Sequence, residues 1–193
     1  MLGLKLPTDP RWVNVVEKNI AEILTDHAWC EQKATTNSIN LIVQFPECTE
    51  LVEAMMTVAR EELEHFQQVF QKIIDRGHVL GRERRDEYVF ELNNFIRKGH
   101  ARNIVLVDKL LFSALVEARS CERFKVLSEN ISDPDLREFY RELMISEATH
   151  YTLFLKLAHL YADGIDVDRR WQEFLEFEGN IISKYGKKET IHG

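Results

Sequence analysis

The sequence predicts an all-α protein: a four-helix bundle made of two helical hairpins, with a long crossover between them and an extra C-terminal helix. Of its 193 residues, 45% are hydrophobic and 30% are charged, while glycine (8) and proline (4) are scarce, which is typical of helical globular proteins. Apolar residues also recur at helical spacing over several long stretches. A chain of this length can bury a sizeable core, so we predict a single domain over residues 1–193.

The first predicted hairpin lies in the N-terminal part of the chain. Thr8-Asp9-Pro10 offers an N-cap and an early proline, and apolar positions then recur at helical spacing to about residue 42. Phe45-Pro46-Glu47 breaks this helix, and a second helix is predicted for about residues 49–74. Asp75-Arg76-Gly77 ends the second helix.

The rest of the chain predicts a crossover, a second hairpin and one further helix. The crossover covers residues 77–102 and contains a short helix near residues 86–95. Ser132-Asp133-Pro134 ends one helix of the second hairpin and caps the next. The remaining predicted ranges are about 103–130 and 135–162 for that hairpin, about 168–184 for the last helix, and a frayed polar tail from residue 186 onward.

Two Glu-x-x-His pairs lie within the predicted hairpins. Glu62 and His65 are three residues apart on the second helix, and Glu147 and His150 repeat this spacing on the fourth. Residues at i and i+3 project from one face of a helix, one turn apart. In ferritin-like bundles, two such pairs and two lone glutamates hold a pair of metal ions, so the spacing predicts metal ligands.

The surroundings of the two pairs favour this interpretation. Both lie in apolar stripes, where an ionised carboxylate is costly unless a cation or a hydrogen-bond network compensates it. A third pair, Glu189 and His192, lies in the polar tail without such a stripe, and we exclude it. One alternative stays open for the first two pairs: they would be buried Glu–His hydrogen-bond networks that only stabilise the core.

The lone glutamates are predicted from their distance to the hairpin turns, because ligands on antiparallel helices must lie at one height. Glu31 and Glu62 lie 15 and 16 residues on either side of Pro46. Glu117 and Glu147 lie 16 and 14 residues on either side of Asp133. The two hairpins therefore resemble repeats, and the predicted ligands are Glu31, Glu62, His65, Glu117, Glu147 and His150.

Two other glutamates compete for these positions and are predicted to be solvated. Glu122 has Arg119 and Lys125 one turn away, which is typical of a salt-bridging surface residue. Glu22 shares its face with polar residues and is also placed at the surface. No catalytic acid or base beyond the metal ligands is predicted.

The donor types restrict the metal. Carboxylates and imidazoles without thiolates favour iron or manganese over a structural zinc site. Four carboxylates and two neutral imidazoles balance the charge of two divalent ions and leave positions for water or oxygen. A partner for the second ring nitrogen of each histidine is expected, although the sequence does not identify it.

Five segments carry a resemblance to a known family: residues 26–34, 60–68, 76–81, 114–124 and 146–151. The chain resembles the bacterial tRNA hydroxylases that act on 2-methylthio-N6-isopentenyladenosine at position 37, a MiaE-like group of ferritin-like di-iron proteins. The resemblance covers roughly residues 6–161. Each of the six predicted ligands has the residue type that the family pattern expects.

The resemblance implies a ferritin-like fold and a non-haem centre of two iron ions. It also implies molecular oxygen as co-substrate, used to hydroxylate the isopentenyl group. The implied partners are tRNA, through its anticodon arm and modified adenosine 37, and an external electron donor. In such a protein the metals carry the oxygen chemistry, while the chain supplies ligands and a shielded cavity.

An RNA substrate requires phosphate contacts, and the crossover contains two basic clusters that offer them. Arg82-Glu83-Arg84-Arg85 carries +2 and residues 97–102 carry +3, whereas the whole chain carries -7. Arginine-rich loops are also commonly just solvated, and that alternative stays open. The predicted tRNA contacts are Arg82, Arg84, Arg85, Arg97, Lys98 and Arg102.

Three other function classes share some of these features. A ferritin-type iron store would use the same ligands, but the long basic crossover is unlike a smooth shell subunit. A rubrerythrin-like peroxidase would carry a C-x-x-C module, which Cys30, Cys48 and Cys121 do not form. A non-enzymatic helical interaction protein would not need four buried glutamates at matched heights.

The cysteine spacing and the hydropathy predict a cytoplasmic protein. Three cysteines without paired spacing suit a reducing compartment. No run of 18 apolar residues occurs, and the apolar N-terminal stretch is too short for a signal peptide, so no membrane association is expected. The net charge of -7 argues against general affinity for nucleic acid, which leaves only a local basic face.

Overall fold

Helices provide all the regular secondary structure in the part of the chain that the computed structural model describes, residues 2–184 and 190–192. The predicted all-α class is therefore confirmed. None of these helices combines enough length and apolar character to cross a membrane. The elements are a 3-10 helix at Pro10–Trp12, α1 at Val13–Val16, α2 at Ile20–Gln44, α3 at Thr49–Asp75, α4 at Glu87–Asn93, α5 at Arg102–Asn130, α6 at Pro134–Leu160 and α7 at Val167–Ile182.

The predicted continuous helix from residue 8 to residue 42 is wrong, because the chain breaks between α1 and α2. Asn19 has non-helical dihedral angles of φ -142° and ψ 53°, and α2 begins at the next residue. Asparagine side chains compete for local backbone hydrogen bonds and so favour such interruptions. Glu17 directly follows α1, and its carboxylate accepts the Ser132 N–H at 2.7 Å.

The chain forms two compact units, and the break after Glu17 lies at their boundary. The first, here called the α2–α3 unit, contains residues 18–85 together with 190 and 191. The second, the α5–α6 unit, contains residues 2–17 and 86–184 and also His192.

The α2–α3 unit is a helical hairpin whose two helices pack along their lengths. Leu24, Ala28, Met55 and Val69 are among its fully buried apolar residues. At the end of α3, Gly77 adopts φ +73°, and the N–H groups of residues 77 and 78 donate to the carbonyls of residues 74 and 73. This is the glycine-terminated helix end that the stop signal predicts.

The α5–α6 unit is a second hairpin, against which α4 and α7 pack. Helix α5 is buried around most of its circumference, as expected of a central helix. The Asp133 carboxylate accepts the N–H groups of Asp135 and Leu136 at 2.9 and 3.2 Å, and Pro134 occupies the first turn of α6. The predicted stop and cap at this position are thus confirmed.

A buried acidic residue on α5 ties the crossover and α7 to this unit. Asp108 is fully buried and accepts hydrogen bonds from the Arg97 backbone at 2.8 Å and from the Arg97 guanidinium at 2.7 and 3.0 Å. It also accepts two bonds from Arg170 on α7, at 2.8 and 3.0 Å. The Arg170 guanidinium stacks on the rings of Phe95 and Phe174.

A second buried network corrects the prediction for Glu122. This residue does pair with Arg119, at 3.0 Å, but it is buried rather than solvated. Its carboxylate accepts the Thr8 N–H at 2.8 Å and the Thr8 hydroxyl at 2.6 Å, because the N-terminal segment packs over it. Arg119 also pairs with buried Glu178 on α7, at 2.5 Å, and donates to the Leu6 carbonyl.

The predicted frayed tail is wrong at His192, which is buried. Its Nδ1 lies 2.8 Å from the Asp86 carboxylate and its Nε2 lies 3.0 Å from the Ser120 hydroxyl, both within the α5–α6 unit. Polar partners of this kind allow a histidine to be buried far from any apolar sequence stripe. Glu189, the other member of the excluded pair, and residues 186–188 lie outside the described residues.

The Asp108 network predicts a large and pH-dependent contribution to stability. Burial opposes ionisation of Asp108, but the hydrogen bonds from Arg97 and Arg170 outweigh it and hold its pKa below the ordinary 3.8. Asp108→Ala should cost about 3–5 kcal/mol at pH 7, because the buried Arg170 loses its fully buried carboxylate partner and keeps only the half-exposed Glu173. A lowered pKa stabilises the fold above the unfolded value, so this difference should shrink as the pH falls below about 4. Urea unfolding across that range measures it.

Glu138→Ala is the matched control for this measurement. Its pair with Arg141 is exposed on both sides and should contribute only about 0–1 kcal/mol. Equal losses from the two substitutions would contradict a stabilising role for the buried network.

Candidate metal centre

The α2–α3 unit brings three of the predicted ligands together. Glu31 on α2 and Glu62 and His65 on α3 are 4%, 1% and 7% exposed, and their ligand atoms lie within 4.8 Å of one another. His65 Nδ1 is 3.4 Å from Glu62 Oε2 and 3.7 Å from Glu31 Oε2. The one-turn spacing of Glu62 and His65 on α3 directs both side chains to the same place.

A fourth polar residue of this cluster was not predicted. His27 is fully buried, and its Nε2 lies 2.6 Å from Glu31 Oε1. Burial alone would raise the pKa of Glu31, but hydrogen bonds from His27 and His65 hold that pKa well below its ordinary 4.5. The signal was present in the sequence, because residues four apart face one another on a helix. Hydrogen-bond partners were expected for the histidine ligands but not for the glutamate ligands.

The α5–α6 unit brings the other three predicted ligands together. Glu117 on α5 and Glu147 and His150 on α6 are 5%, 3% and 1% exposed. Their ligand atoms also lie within 4.8 Å of one another. Each hairpin therefore holds one lone glutamate beside one Glu-x-x-His pair, as the repeat predicts.

A buried thiol adjoins this second cluster. Cys121 lies one turn after Glu117, is fully buried, and donates to the Met144 carbonyl at 3.3 Å. Burial, and then the negative charges of Glu147 and Glu122, raise its pKa to about 12. The thiol is therefore protonated at neutral pH, so the acidic donors of this cluster are its carboxylates.

The donor set of each cluster fits a divalent metal ion. Two buried carboxylates near one imidazole repel each other unless a cation lies between them or one of them is protonated. Oxygen and imidazole donors without thiolate suit iron or manganese. The structure thus carries two carboxylate–histidine clusters that are compatible with metal, one in each unit.

Comparison with known proteins identifies the family. The family of tRNA-(MS2IO6A)-hydroxylase (MiaE) matches residues 2–193. The chain belongs to the MiaE family. It is 37% identical over 189 residues to the tRNA 2-(methylsulfanyl)-N(6)-isopentenyladenosine(37) hydroxylase of Pseudomonas putida, an alignment that covers 98% of this chain and 91% of that protein. The enzyme of the same name from Salmonella typhimurium is 26% identical over 238 residues, which cover 98% and 87% of the two chains.

A solved structure supports the predicted fold of this MiaE family member. Protein 43 with aldehyde deformylating oxygenase activity from Synechococcus matches with a TM-score of 0.91 and 33% sequence identity. The match covers 98% of this chain and 95% of that one. The ferritin-like fold and the family resemblance predicted from the sequence are therefore confirmed.

The first basic cluster lies in a loop that is fastened to α2. Trp29 Nε1 donates to the Gly81 carbonyl at 2.9 Å, and Lys33 donates to the Arg84 carbonyl at 3.2 Å. A Cβ at Gly81 would lie 3.0 Å from Thr25, so this close approach favours glycine. Arg82, Arg84 and Arg85 are exposed, and Arg84 pairs with Glu22, which is at the surface as predicted.

The second basic cluster divides into a buried anchor and an exposed part. Arg97 is engaged with Asp108, whereas Lys98 and Arg102 are exposed. Arg102 begins α5, whose N-cap residue, Ala101, makes no side-chain capping hydrogen bond. Lys109 adds to this positive region and was not predicted; partial burial and the charge of Lys98 lower its pKa.

Metal binding to the two clusters predicts thermal stabilisation. Ferrous or manganous ion added without oxygen should raise the melting temperature, because it binds the folded clusters and not the unfolded chain. At about 100 times the dissociation constant the gain is about 2.7 kcal/mol. Glu117→Gln, which keeps the side-chain shape but removes a charged donor, should reduce this gain. Differential scanning fluorimetry with and without metal measures both.

The control for this measurement is Glu142→Gln, an exposed position on α6. Glu122 is unsuitable, because its substitution would disturb the buried pair with Arg119. A melting temperature that saturating metal leaves unchanged in the parent chain would contradict a preformed site.

Proposed function

We propose that the chain is an oxygen-dependent non-haem di-iron monooxygenase that hydroxylates the isopentenyl group of 2-methylthio-N6-isopentenyladenosine at tRNA position 37. One observation carries the proposal: each hairpin of this MiaE family member buries two glutamates and a histidine with their ligand atoms within 4.8 Å. The hydroxylases of Pseudomonas putida and Salmonella typhimurium supply the substrate class.

The proposed ligands of the two iron ions are the two glutamates and the histidine of each hairpin. Support comes from the repeat, since both hairpins carry the same three donors at similar distances from their turns. Charge gives further support, because four carboxylates and two neutral imidazoles neutralise two ferrous ions. A metal centre accounts for these buried acids better than a purely structural hydrogen-bond network, which would leave carboxylates beside one another.

The burial of the ligands keeps water away from the reaction. When bound, the iron pair supplies oxygen activation and oxidation of the substrate C–H bond, for which side chains have no equivalent. Glu31, Glu62, Glu117 and Glu147 hold their positions on long helices, which fix ligands more firmly than loops do. Their low exposure excludes bulk water, which would otherwise consume reactive oxygen species. No protein acid or base is required for this scheme.

The proposed tRNA contacts are the exposed arginines and lysine of the two basic clusters. Arg82 and Arg85 project from a loop fastened to α2, the helix that carries Glu31. Lys98 and Arg102 lie beside the first turn of α5, where backbone N–H groups and the helix dipole also favour phosphate. The Arg97 guanidinium is engaged with Asp108, so we assign Arg97 a structural role and not a phosphate contact.

A direct test supplies the iron-loaded protein with a chemical reductant, oxygen, and tRNA that carries the unhydroxylated modification. Nucleosides released from this tRNA should gain one oxygen atom, detected by mass spectrometry. Glu117→Gln should abolish the product, while Glu142→Gln should retain it.

The Synechococcus protein, which is 33% identical, suggests a second substrate to include, an aldehyde, because its name gives aldehyde deformylating oxygenase activity. A loaded chain that consumes the aldehyde and leaves the tRNA unchanged would overturn the proposed substrate while retaining the metal centre. A chain inactive on both, with iron bound, would overturn the proposed activity.

The RNA surface predicts a salt-dependent binding defect. Arg82→Ala combined with Arg85→Ala should weaken tRNA binding and flatten the dependence of log K on log salt by about 0.7–0.9 for each phosphate that the variant no longer neutralises. Iron content should be unchanged, because these side chains lie in the exposed loop. Fluorescence anisotropy at several salt concentrations measures the slope.

Arg141→Ala on α6 is the control, as an exposed arginine outside both clusters. If the double variant binds tRNA with the same affinity and slope as the parent chain, the phosphate-binding face lies elsewhere. That result would leave the metal centre unaffected.

A further inference from the structure

His27 is a buried histidine that the six-ligand set does not use. It lies on α2 one turn before Glu31 and is 0% exposed. A buried imidazole normally has a hydrogen-bond partner, because removing it from water is otherwise costly. The Glu31 carboxylate is that partner, at 2.6 Å from His27 Nε2.

The chemistry of this contact assigns the hydrogen. An ionised carboxylate can only accept, so Nε2 carries the hydrogen and donates it to Glu31 Oε1. The other oxygen, Oε2, is the one 3.7 Å from His65 Nδ1. The two oxygens of Glu31 therefore have different surroundings: Oε1 is directed to His27, and Oε2 lies on the side of the predicted ligands.

We propose that His27 is a positioning residue that holds Glu31 as a one-oxygen metal ligand through Oε2. This inference rests on the proposed function, since it requires a metal ion in the α2–α3 cluster. The terminal torsion of a glutamate is broad and sets its two oxygens only weakly. A charge-assisted hydrogen bond to Oε1 removes that freedom and keeps Glu31 from presenting both oxygens to the metal.

The same position differs in the other hairpin. Ser113 lies four residues before Glu117, where His27 lies four residues before Glu31. Serine is shorter and has no ring nitrogen, so position 113 does not repeat the imidazole of position 27. The residue four positions before the lone glutamate therefore differs between the two hairpins.

Two substitutions separate the hydrogen bond from the space that His27 fills. His27→Gln keeps an N–H donor at similar reach, and His27→Met keeps the volume without a donor. His78→Ala, an exposed histidine in the loop after α3, is the control. The probe is cobalt(II), titrated without oxygen and followed by visible absorption, with circular dichroism of the metal-free proteins as the test of folding.

The parent chain should bind two cobalt equivalents. His27→Met should weaken one of them by about 10- to 100-fold, the usual effect of losing an outer-shell partner, and should shift its visible bands. His27→Gln and His78→Ala should retain the parent affinity and spectrum. If His27→Met does not fold, His27→Asn, whose shorter amide does not reach Oε1, takes its place.

Two results would overturn the inference. A His27→Met titration identical to that of the parent would show that the hydrogen bond does not position Glu31. Equal damage from His27→Gln and His27→Met would make His27 itself a ligand. Failure of the proposed function is distinguishable: a parent chain without cobalt uptake refutes the centre and this inference together, whereas cobalt uptake without tRNA hydroxylation refutes only the substrate.

Discussion

The burial of carboxylates inside long helices is the constraint on which this structure depends. Glu31, Glu62, Glu117 and Glu147 are each at most 5% exposed. Removing one ionised carboxylate from water costs several kcal/mol, and a second carboxylate nearby adds repulsion. Neutral imidazoles cannot balance that charge. The proposed metal ions convert this cost into binding energy, and long helices supply the rigid placement that a metal site requires.

The chain meets the same constraint elsewhere with guanidinium groups. Asp108 is balanced by Arg97 and Arg170, and Glu178 by Arg119. Buried acids therefore fall into two groups in the described residues. Those paired with arginine fasten the crossover, the N-terminal segment and α7 to α5, whereas those clustered with histidine are the candidate ligands.

Local periodicity allowed much of the fold and of the candidate site to be predicted. The limits of α3, α5 and α6 lie within about two residues of expectation, since proline, aspartate and glycine mark their ends. The clustering of Glu31 with Glu62 and His65 followed from counting residues to a turn. The errors arose from contacts between distant parts of the chain. Glu122 is buried by Thr8, 114 residues away, and no local pattern carries that information.

Two other errors have the same origin, and one does not. The break at Asn19 and the burial of His192 depend on which unit each segment joins, and not on the residues beside them in sequence. His27 is different, because its four-residue spacing from Glu31 is a local feature that is visible in the sequence. His27 was not predicted because the ligand pattern, which consists of the Glu-x-x-His pairs and the lone glutamates, does not include it.

The N-terminal segment, residues 2–17, belongs to the α5–α6 unit, whose other residues begin at residue 86. Thr8 contacts Glu122, Leu6 contacts Arg119, and Glu17 contacts Ser132, all on or next to α5. During synthesis these first residues leave the ribosome long before their partners exist, while the α2–α3 hairpin can already pair with itself. The segment therefore cannot form these contacts until α5 and the turn after it have been synthesised. During synthesis its docking cannot precede the appearance of these partners, so a bulky group fused before residue 2 would hinder docking of the segment rather than pairing within the α2–α3 hairpin.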